Sequence, residues 1–149
     1  QRTNARWKEV TDNINRFKEM RLRNRNITLQ VCCTINIFNV LYLSDVAIWI
    51  NQQGFDYVYW NMLHDAYYFS IATLPVHAKE IITDRLHNSV FPDEYQREID
   101  RIIDFMNRGA STDGFMLRMK IADLDRKRQQ NLRTVAPEFA ELIDYDFAG

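Results

Sequence analysis

The chain has 149 residues, of which 46% are hydrophobic and 13% aromatic, and its net charge is −1. This length and composition suit one domain with a packed core and exclude a disordered protein. No run approaches the roughly 18 apolar residues of a membrane span, and no signal peptide opens the sequence. We therefore expect a cytoplasmic protein without a membrane partner. The chain starts at Gln1 rather than Met, which fits a fragment boundary.

Positive charge is concentrated in the first 26 residues, which hold eight Lys or Arg against three acidic residues. These side chains share a helical pattern with a regular apolar stripe, and the acidic residues interrupt them. The pattern favours a solvated helix face over an arm that binds polyphosphate. We therefore expect no nucleic-acid partner.

The first predicted elements are a helix and a strand. The helix covers about residues 4–22, and its apolar stripe consists of Trp7, Val10, Ile14 and Phe17. Such a stripe should lie on a sheet. Residues 27–38 then alternate, with apolar side chains at odd positions and mostly polar ones at even positions. One face of this strand is expected to pack on helices, and the other is more polar.

A second helix and a second strand complete a βαβ unit. Ser44 is the candidate N-cap of this helix, and Gly54 is its C-terminal stop. Residues 55–61 form the next strand, which the right-handed crossover rule makes parallel to the first. No third strand is predicted, and a parallel pair cannot cover both of its faces or its edges. The sequence therefore resembles one end of a larger α/β protein.

From residue 75 onward, the apolar pattern is helical throughout. The predicted helix starts are Pro75, Pro92, Ser111 or Thr112, and Pro137. The helix that follows Pro92 is expected to end at Gly109, and the last helix at Ile143. This half of the chain is predicted to form a helical cap.

Polar side chains gather where the two strands end. Parallel α/β folds bind ligands at the carboxyl ends of their strands. Thr34, Asn36 and Asn39 come from the first strand and its turn, and Asn61 comes from the second strand. An Asn amide offers both a donor and an acceptor, which suits an amino acid or nucleoside ligand. Asn is also favoured as a cap of turns at strand ends, so both interpretations stay open.

No catalytic constellation or metal site is complete in the sequence. His64 and Asp65 form a candidate general base, but no nucleophile stands near them in an elbow, which favours a loop pair. The three histidines and the adjacent Cys32 and Cys33 show no metal-ligand spacing. The four glycines form no phosphate-binding loop. We expect reduced core thiols and no catalytic residue or metal ligand in this chain.

Five segments together carry a family resemblance: TINIFN, GFDYVYWNMLHD, YFSIATLP before the helix of Lys79, LDRKRQQN and APEFAEL. They resemble the C-terminal half of radical S-adenosylmethionine proteins of the phage and bacterial twitch-domain type. In that family an N-terminal CxxxCxxC loop holds a [4Fe-4S] cluster, and six βα units form a partial barrel. Polar residues at the ends of the late strands contact S-adenosylmethionine or the substrate.

The resemblance implies an α/β fold in two parts. Residues 1–74 would be the last two parallel βα units of a partial (β/α)6 barrel, and residues 75–149 a helical C-terminal extension packed on them. Such a chain would close the barrel and shape its pocket. The cofactor-binding residues implied at the mouth are Thr34, Asn36, Asn39 and Asn61.

The chain lacks CxxxCxxC, so we expect it to bind no cofactor alone and not to be catalytic on its own. S-adenosylmethionine and the [4Fe-4S] cluster are implied for an intact parent, and the missing N-terminal half is the expected partner. The substrate, a small molecule or a peptide, is not specified. Two other classes stay open: a helical module that binds a partner through an open sheet edge, and a small non-radical enzyme using His64 and Asp65.

Overall fold

The structure is a computed structural model, and it describes residues 6–146. The helices and strands are α1 (Trp7–Arg23), β1 (Gln30–Ile35), α2 (Leu43–Gln53), β2 (Tyr57–Met62), α3 (Val76–His87), α4 (Gln96–Arg108), α5 (Phe115–Arg128), α6 (Leu132–Val135) and α7 (Pro137–Leu142). Short 3-10 turns lie at Val40–Tyr42, Tyr67–Phe69, Ile71–Thr73 and Asp93–Tyr95. Over this range no helix is both long enough and apolar enough to cross a bilayer.

The predicted βαβ unit is confirmed, because β1 and β2 pair in parallel and α2 connects them. In the part of the chain that the structure describes, these are the only two strands. The strand predicted over residues 27–38 is shorter in the structure and ends at Ile35. It ends there because the chain turns at once, with the N–H groups of Asn39 and Val40 both donating to the Asn36 carbonyl.

Some of the predicted helix ends are confirmed by the structure, and others are corrected. Gly54 is the C-cap of α2 with φ 63°, a left-handed conformation that glycine adopts without strain. Pro137 occupies the first turn of α7, as expected. Ser44 is not an N-cap: α2 begins at Leu43, because the preceding 3-10 turn continues directly into the helix.

The start of α5 also differs from the prediction. Its N-cap is Gly114 at φ 76°, not Ser111 or Thr112. The Thr112 hydroxyl accepts the N–H of Gly114 at 3.2 Å, and the Asp113 carboxylate accepts the N–H of Phe115 at 2.9 Å. These two bonds satisfy backbone N–H groups at the start of α5. Thr112 and Asp113 therefore share the capping function, and the sequence pattern did not distinguish between neighbouring candidates.

One continuous hydrophobic core joins the helical half of the chain to the βαβ unit. Its fully buried members include Ile35, Ile37, Leu43, Ala47, Leu74, Ile82, Ile99, Ile102, Met106, Ile121, Phe139 and Ile143. Helices α3 and α4 pack on each other and on the turns that follow each strand. By contrast, α1 contributes no buried side chain to this core. Helices of the C-terminal half therefore pack against the turns at the carboxyl ends of the strands.

Two buried polar side chains tie segments of the helical half together. Lys79 donates from Nζ to the carbonyls of Ala72 at 2.7 Å and Gly109 at 2.8 Å, and its burial lowers its pKa. Asp125 accepts the Leu132 N–H and the Tyr145 hydroxyl, both at 2.8 Å. Because each charge is bonded at its buried end, both stabilise the packing of distant segments.

Candidate functional site at the open face of the sheet

The sheet presents one face that no other element of the described structure covers. We call it the open face, and it carries the exposed side chains Gln30, Cys32, Thr34, Tyr57, Tyr59 and Asn61. Tyr57 and Tyr59 are 58% and 50% exposed, which is high for aromatic side chains on a strand. The opposite face carries Ile35 and Trp60 into the core. The alternation predicted for β1 is therefore present, and its polar side faces away from the helices.

The turn after β1 uses the side chains of Asn36 and Asn39. The Asn39 amide accepts the Asn36 N–H at 2.9 Å and donates to the Thr34 carbonyl at 2.9 Å. The Asn36 amide accepts the Phe38 N–H at 2.9 Å and also donates to the Thr34 carbonyl, at 3.2 Å. Both amides therefore bond to turn backbone, an arrangement that matches the capping interpretation.

Thr34 and Asn61 occupy a different position from the turn residues. They are direct partners in the parallel register, and both lie on the open face. The Asn61 amide donates to the Cys32 sulfur at 2.7 Å. The structure therefore brings Thr34, Asn61 and Cys32 together, while the amides of Asn36 and Asn39 serve the neighbouring turn. Cys32 was expected to be a core thiol, but it is exposed, because its even position in β1 puts it on the polar face.

The adjacent cysteines differ in environment. Cys32 is exposed on the open face, whereas Cys33 is partly buried on the opposite side. Burial, together with the neighbouring Cys32, raises the pKa of the Cys33 thiol to about 11, so it is protonated at neutral pH. Between residues 6 and 146, no three His, Cys, Asp or Glu side chains gather in a group that could hold a metal ion.

The candidate general base lies in the loop after β2. His64 and Asp65 are both exposed there. The His64 ring packs edge-to-face against Phe105 of α4, with ring centroids 5.1 Å apart. This contact packs the exposed His64 ring against α4, which agrees with the loop-pair interpretation.

The two outer edges of the sheet are not equivalent. At β2, Arg101 of α4 donates from Nη2 to the Trp60 carbonyl at 2.8 Å, and it also pairs with Glu98 at 2.6 Å. Trp60 packs edge-to-face on Tyr95, with ring centroids 5.4 Å apart. The helical half therefore blocks this edge. Sequence reasoning missed Arg101, because nothing in its local pattern marks a contact 41 residues away.

Among residues 6–146, no such contact covers the outer edge of β1. The carbonyls of Leu29 and Ile35 accept N–H groups at the two ends of β2. Because N–H and C=O groups alternate in direction along a strand, Val31 and Cys33 also bond towards β2. The main-chain groups of Gln30 and Cys32 and the N–H of Thr34 then point away from it.

Helix α1 lies beside α2 and is only half packed. Trp7 and Trp49 have ring centroids 5.0 Å apart, Lys18 donates to Gln53 at 2.9 Å, and Arg21 pairs with Asp56 at 2.9 Å. Three other apolar side chains of this helix are open, since Val10, Phe17 and Met20 are 40%, 52% and 51% exposed. We call these three residues the α1 stripe.

A cavity of about 360 Å³ lies at the opposite end of the strands, between α2, β2 and α4. Its wall includes Gly54, Tyr57, Trp60, Glu94 and Tyr95. In parallel α/β folds the amino ends of strands serve stability rather than ligand binding. The predicted site residues do not line this cavity.

Comparison of the chain with family models, with curated proteins and with solved structures gave no match.

Proposed function

We propose that the chain is the C-terminal portion of a radical S-adenosylmethionine enzyme of the cytoplasm. It closes a partial (β/α)6 barrel and shapes the pocket for S-adenosylmethionine and substrate, and the N-terminal half supplies the cluster. Free Cys32 and Cys33 fit a reducing compartment. In this proposal the chain is not catalytic on its own.

The observation that carries the proposal is the asymmetric environment of the β1–α2–β2 unit. Parallel sheets normally have both faces covered by helices, except where the sheet curves into a barrel and its inner face lines the interior. Here one face packs on helices, and the open face carries Thr34, Cys32 and Asn61. The blocked edge of β2 fits the last strand of a barrel. The unblocked edge of β1 fits the position at which the earlier strands of that barrel would pair.

The site residues then take two kinds of role. Thr34 and Asn61 face the barrel interior and are the side chains that can reach a ligand. Asn36 and Asn39 hold the turn at the mouth, so they position the backbone around the pocket. The exposed Tyr57 and Tyr59 would be covered when the barrel is complete.

The direct test begins with the coding sequence upstream of Gln1. We expect it to encode CxxxCxxC. The intact protein is then reconstituted with iron and sulfide under anaerobic conditions, and S-adenosylmethionine binding is measured by calorimetry. Asn61→Ala should weaken binding by about 1–3 kcal/mol, the cost of one lost buried hydrogen bond.

The matched control is Asn51→Ala, because Asn51 is exposed on α2 and lies off the open face. It should leave binding unchanged. A start codon at this position, or an intact protein without a cluster, would refute the proposal.

A second candidate function is a non-enzymatic module that binds a partner strand at the outer edge of β1. The unblocked edge favours it as well, because exposed sheet edges pair readily with other strands. A chain that starts at this position and stays monomeric at high concentration would support the module over the barrel segment.

A further inference from the structure

The outer edge of β1 offers a defined set of main-chain groups. The bonds of Leu29 and Ile35 towards β2 leave the N–H and C=O groups of Gln30 and Cys32 directed outward. The Thr34 carbonyl is already bonded by the two Asn amides of the turn, so only its N–H remains for a partner. The edge therefore has room for one short strand that stops before the turn.

We propose that this edge receives one further strand, parallel to β1, from the segment that precedes α1 in the intact polypeptide. This inference rests on the proposed function and specifies the partner of the incomplete sheet. The occupant is an extended segment that runs in the same direction as β1. It pairs with Gln30, Cys32 and the N–H of Thr34.

The position of α1 sets the direction of the new strand. Helix α1 contacts α2 through Trp7 and Lys18, and the open face is exposed, so α1 and α2 lie on the same side of the sheet. A strand that enters α1 and continues into β1 makes a right-handed crossover only if it lies on the edge of β1 away from β2. The right-handed crossover rule therefore selects the outer edge of β1, where the main-chain groups are not bonded to β2.

The α1 stripe defines the chemistry of the occupant. In βαβ units the crossover helix covers both strands that it joins. Val10, Phe17 and Met20 are exposed and lie on a side of α1 adjacent to its contacts with α2. They would cover apolar side chains at alternate positions of the new strand. The intervening side chains join the open face and are expected to be polar or small.

The β2 edge does not compete for this strand. Arg101 already bonds the Trp60 carbonyl there, and the 3-10 turn that carries Tyr95 packs on the same residue. A second copy of the chain could reach the β1 edge, but two-fold symmetry would pair the two β1 strands antiparallel. That arrangement would contradict the parallel strand proposed here.

The experiment uses a tandem variant in which a second copy of residues 56–63 precedes α1 through a flexible Gly-Ser linker. This probe is chosen because β2 already pairs in parallel with β1. Tethering supplies an effective concentration on the order of 1 mM. Amide hydrogen exchange of each residue is measured by NMR in the chain with and without the copy.

We expect the copy to slow exchange at Gln30, Cys32 and Thr34 by about tenfold or more, with little change at Val31 and Cys33. A matched copy that carries Pro at its third and fifth positions should give no protection, because the copies of Val58 and Trp60 then lose the N–H groups that face β1. Unchanged exchange at all five positions would overturn the proposal. Protection that rises with protein concentration in the absence of the copy would also overturn it, in favour of a dimer.

The outcome of this exchange experiment can be distinguished from the outcome of the test of the proposed function. Protection of the edge without an upstream CxxxCxxC would keep the strand-binding edge and remove the radical enzyme. An upstream CxxxCxxC without protection of the edge would keep the enzyme and place the preceding strand elsewhere.

Discussion

Helices α1 and α4 are both amphipathic, but only α4 is packed. The 13 residues of α4 bury Ile99, Ile102, Ile103 and Met106, whereas the 17 residues of α1 bury none. An apolar stripe shows that a helix needs a covering surface, but it does not show that the chain itself supplies that surface. The contrast shows that the described chain covers the apolar side of α4 and leaves the apolar side of α1 exposed.

The same contrast runs through the sheet. The β2 edge and the core-facing side of the sheet are closed by the helical half, whereas the described residues leave the β1 edge and the open face uncovered. The helical half should therefore determine the stability of the isolated chain.

The largest difference is expected between core truncations in the two helices. Ile102→Ala removes a fully buried side chain and should lower the free energy of unfolding by about 2–5 kcal/mol. Phe17→Ala in α1 should change it by no more than about 0.5 kcal/mol. Urea unfolding followed by circular dichroism measures both. Equal losses would show that α1 is as well packed as α4.

Removal of the buried carboxylate of the helical half should have the next largest effect. Asp125→Ala leaves the Leu132 N–H and the Tyr145 hydroxyl without their bonds to Asp125 and should cost about 1–3 kcal/mol. Asp123→Ala is the control, because Asp123 pairs only with exposed cations of its own helix. Thermal melts that fall equally for both variants would contradict the buried role.

The Asn residue of the turn and the Asn residue of the open face should differ in their effect on the stability of the chain. Asn39→Ala removes two bonds to turn backbone and should cost about 1 kcal/mol. Asn61→Ala loses only an exposed contact with the Cys32 sulfur, so its melting temperature should match that of the unmodified chain. A fall for Asn61→Ala with none for Asn39→Ala would reverse the assigned roles.

Alkaline pH should weaken the fold through Cys33. Its folded-state pKa is raised from 9.0 to about 11, so the folded chain retains a proton that the unfolded chain releases. The stabilisation is therefore fully present below pH 9 and is lost as the pH rises towards 11. Urea midpoints of the chain and of Cys33→Ala, measured across this range, should converge. A parallel decline in both would assign the effect to other groups.

The smallest expected effect is weak association of the isolated chain. The unblocked β1 edge and the exposed α1 stripe should favour self-association at high concentration. Size-exclusion chromatography at increasing concentration measures it. Cys32→Pro removes an outward N–H without breaking the β1–β2 ladder and should reduce the association. A chain that remains monomeric throughout would argue for a self-contained fold.

Features that depend on residues close together in the sequence could be predicted from the sequence. The alternation of β1, the parallel β2 and the stop at Gly54 follow from side-chain periodicity and local backbone preference, and the structure confirms them. The candidate residues Thr34 and Asn61 were also correctly placed at the strand ends. Ser44 is not the cap because the 3-10 turn of Val40–Tyr42 continues directly into α2.

Other features were decided only by tertiary structure. Arg101 reaches Trp60 across 41 residues, and Lys79 reaches the carbonyl of Gly109 across 30. The amides of Asn36 and Asn39 were free to serve a ligand or a turn until the course of the backbone after β1 was known. Long-range contacts depend on how whole elements pack, and a periodic pattern shows which face of an element is apolar but not which partner covers it. For α1, the pattern predicted an apolar face, and only the tertiary structure decided that residues 6–146 leave Val10, Phe17 and Met20 of that helix exposed.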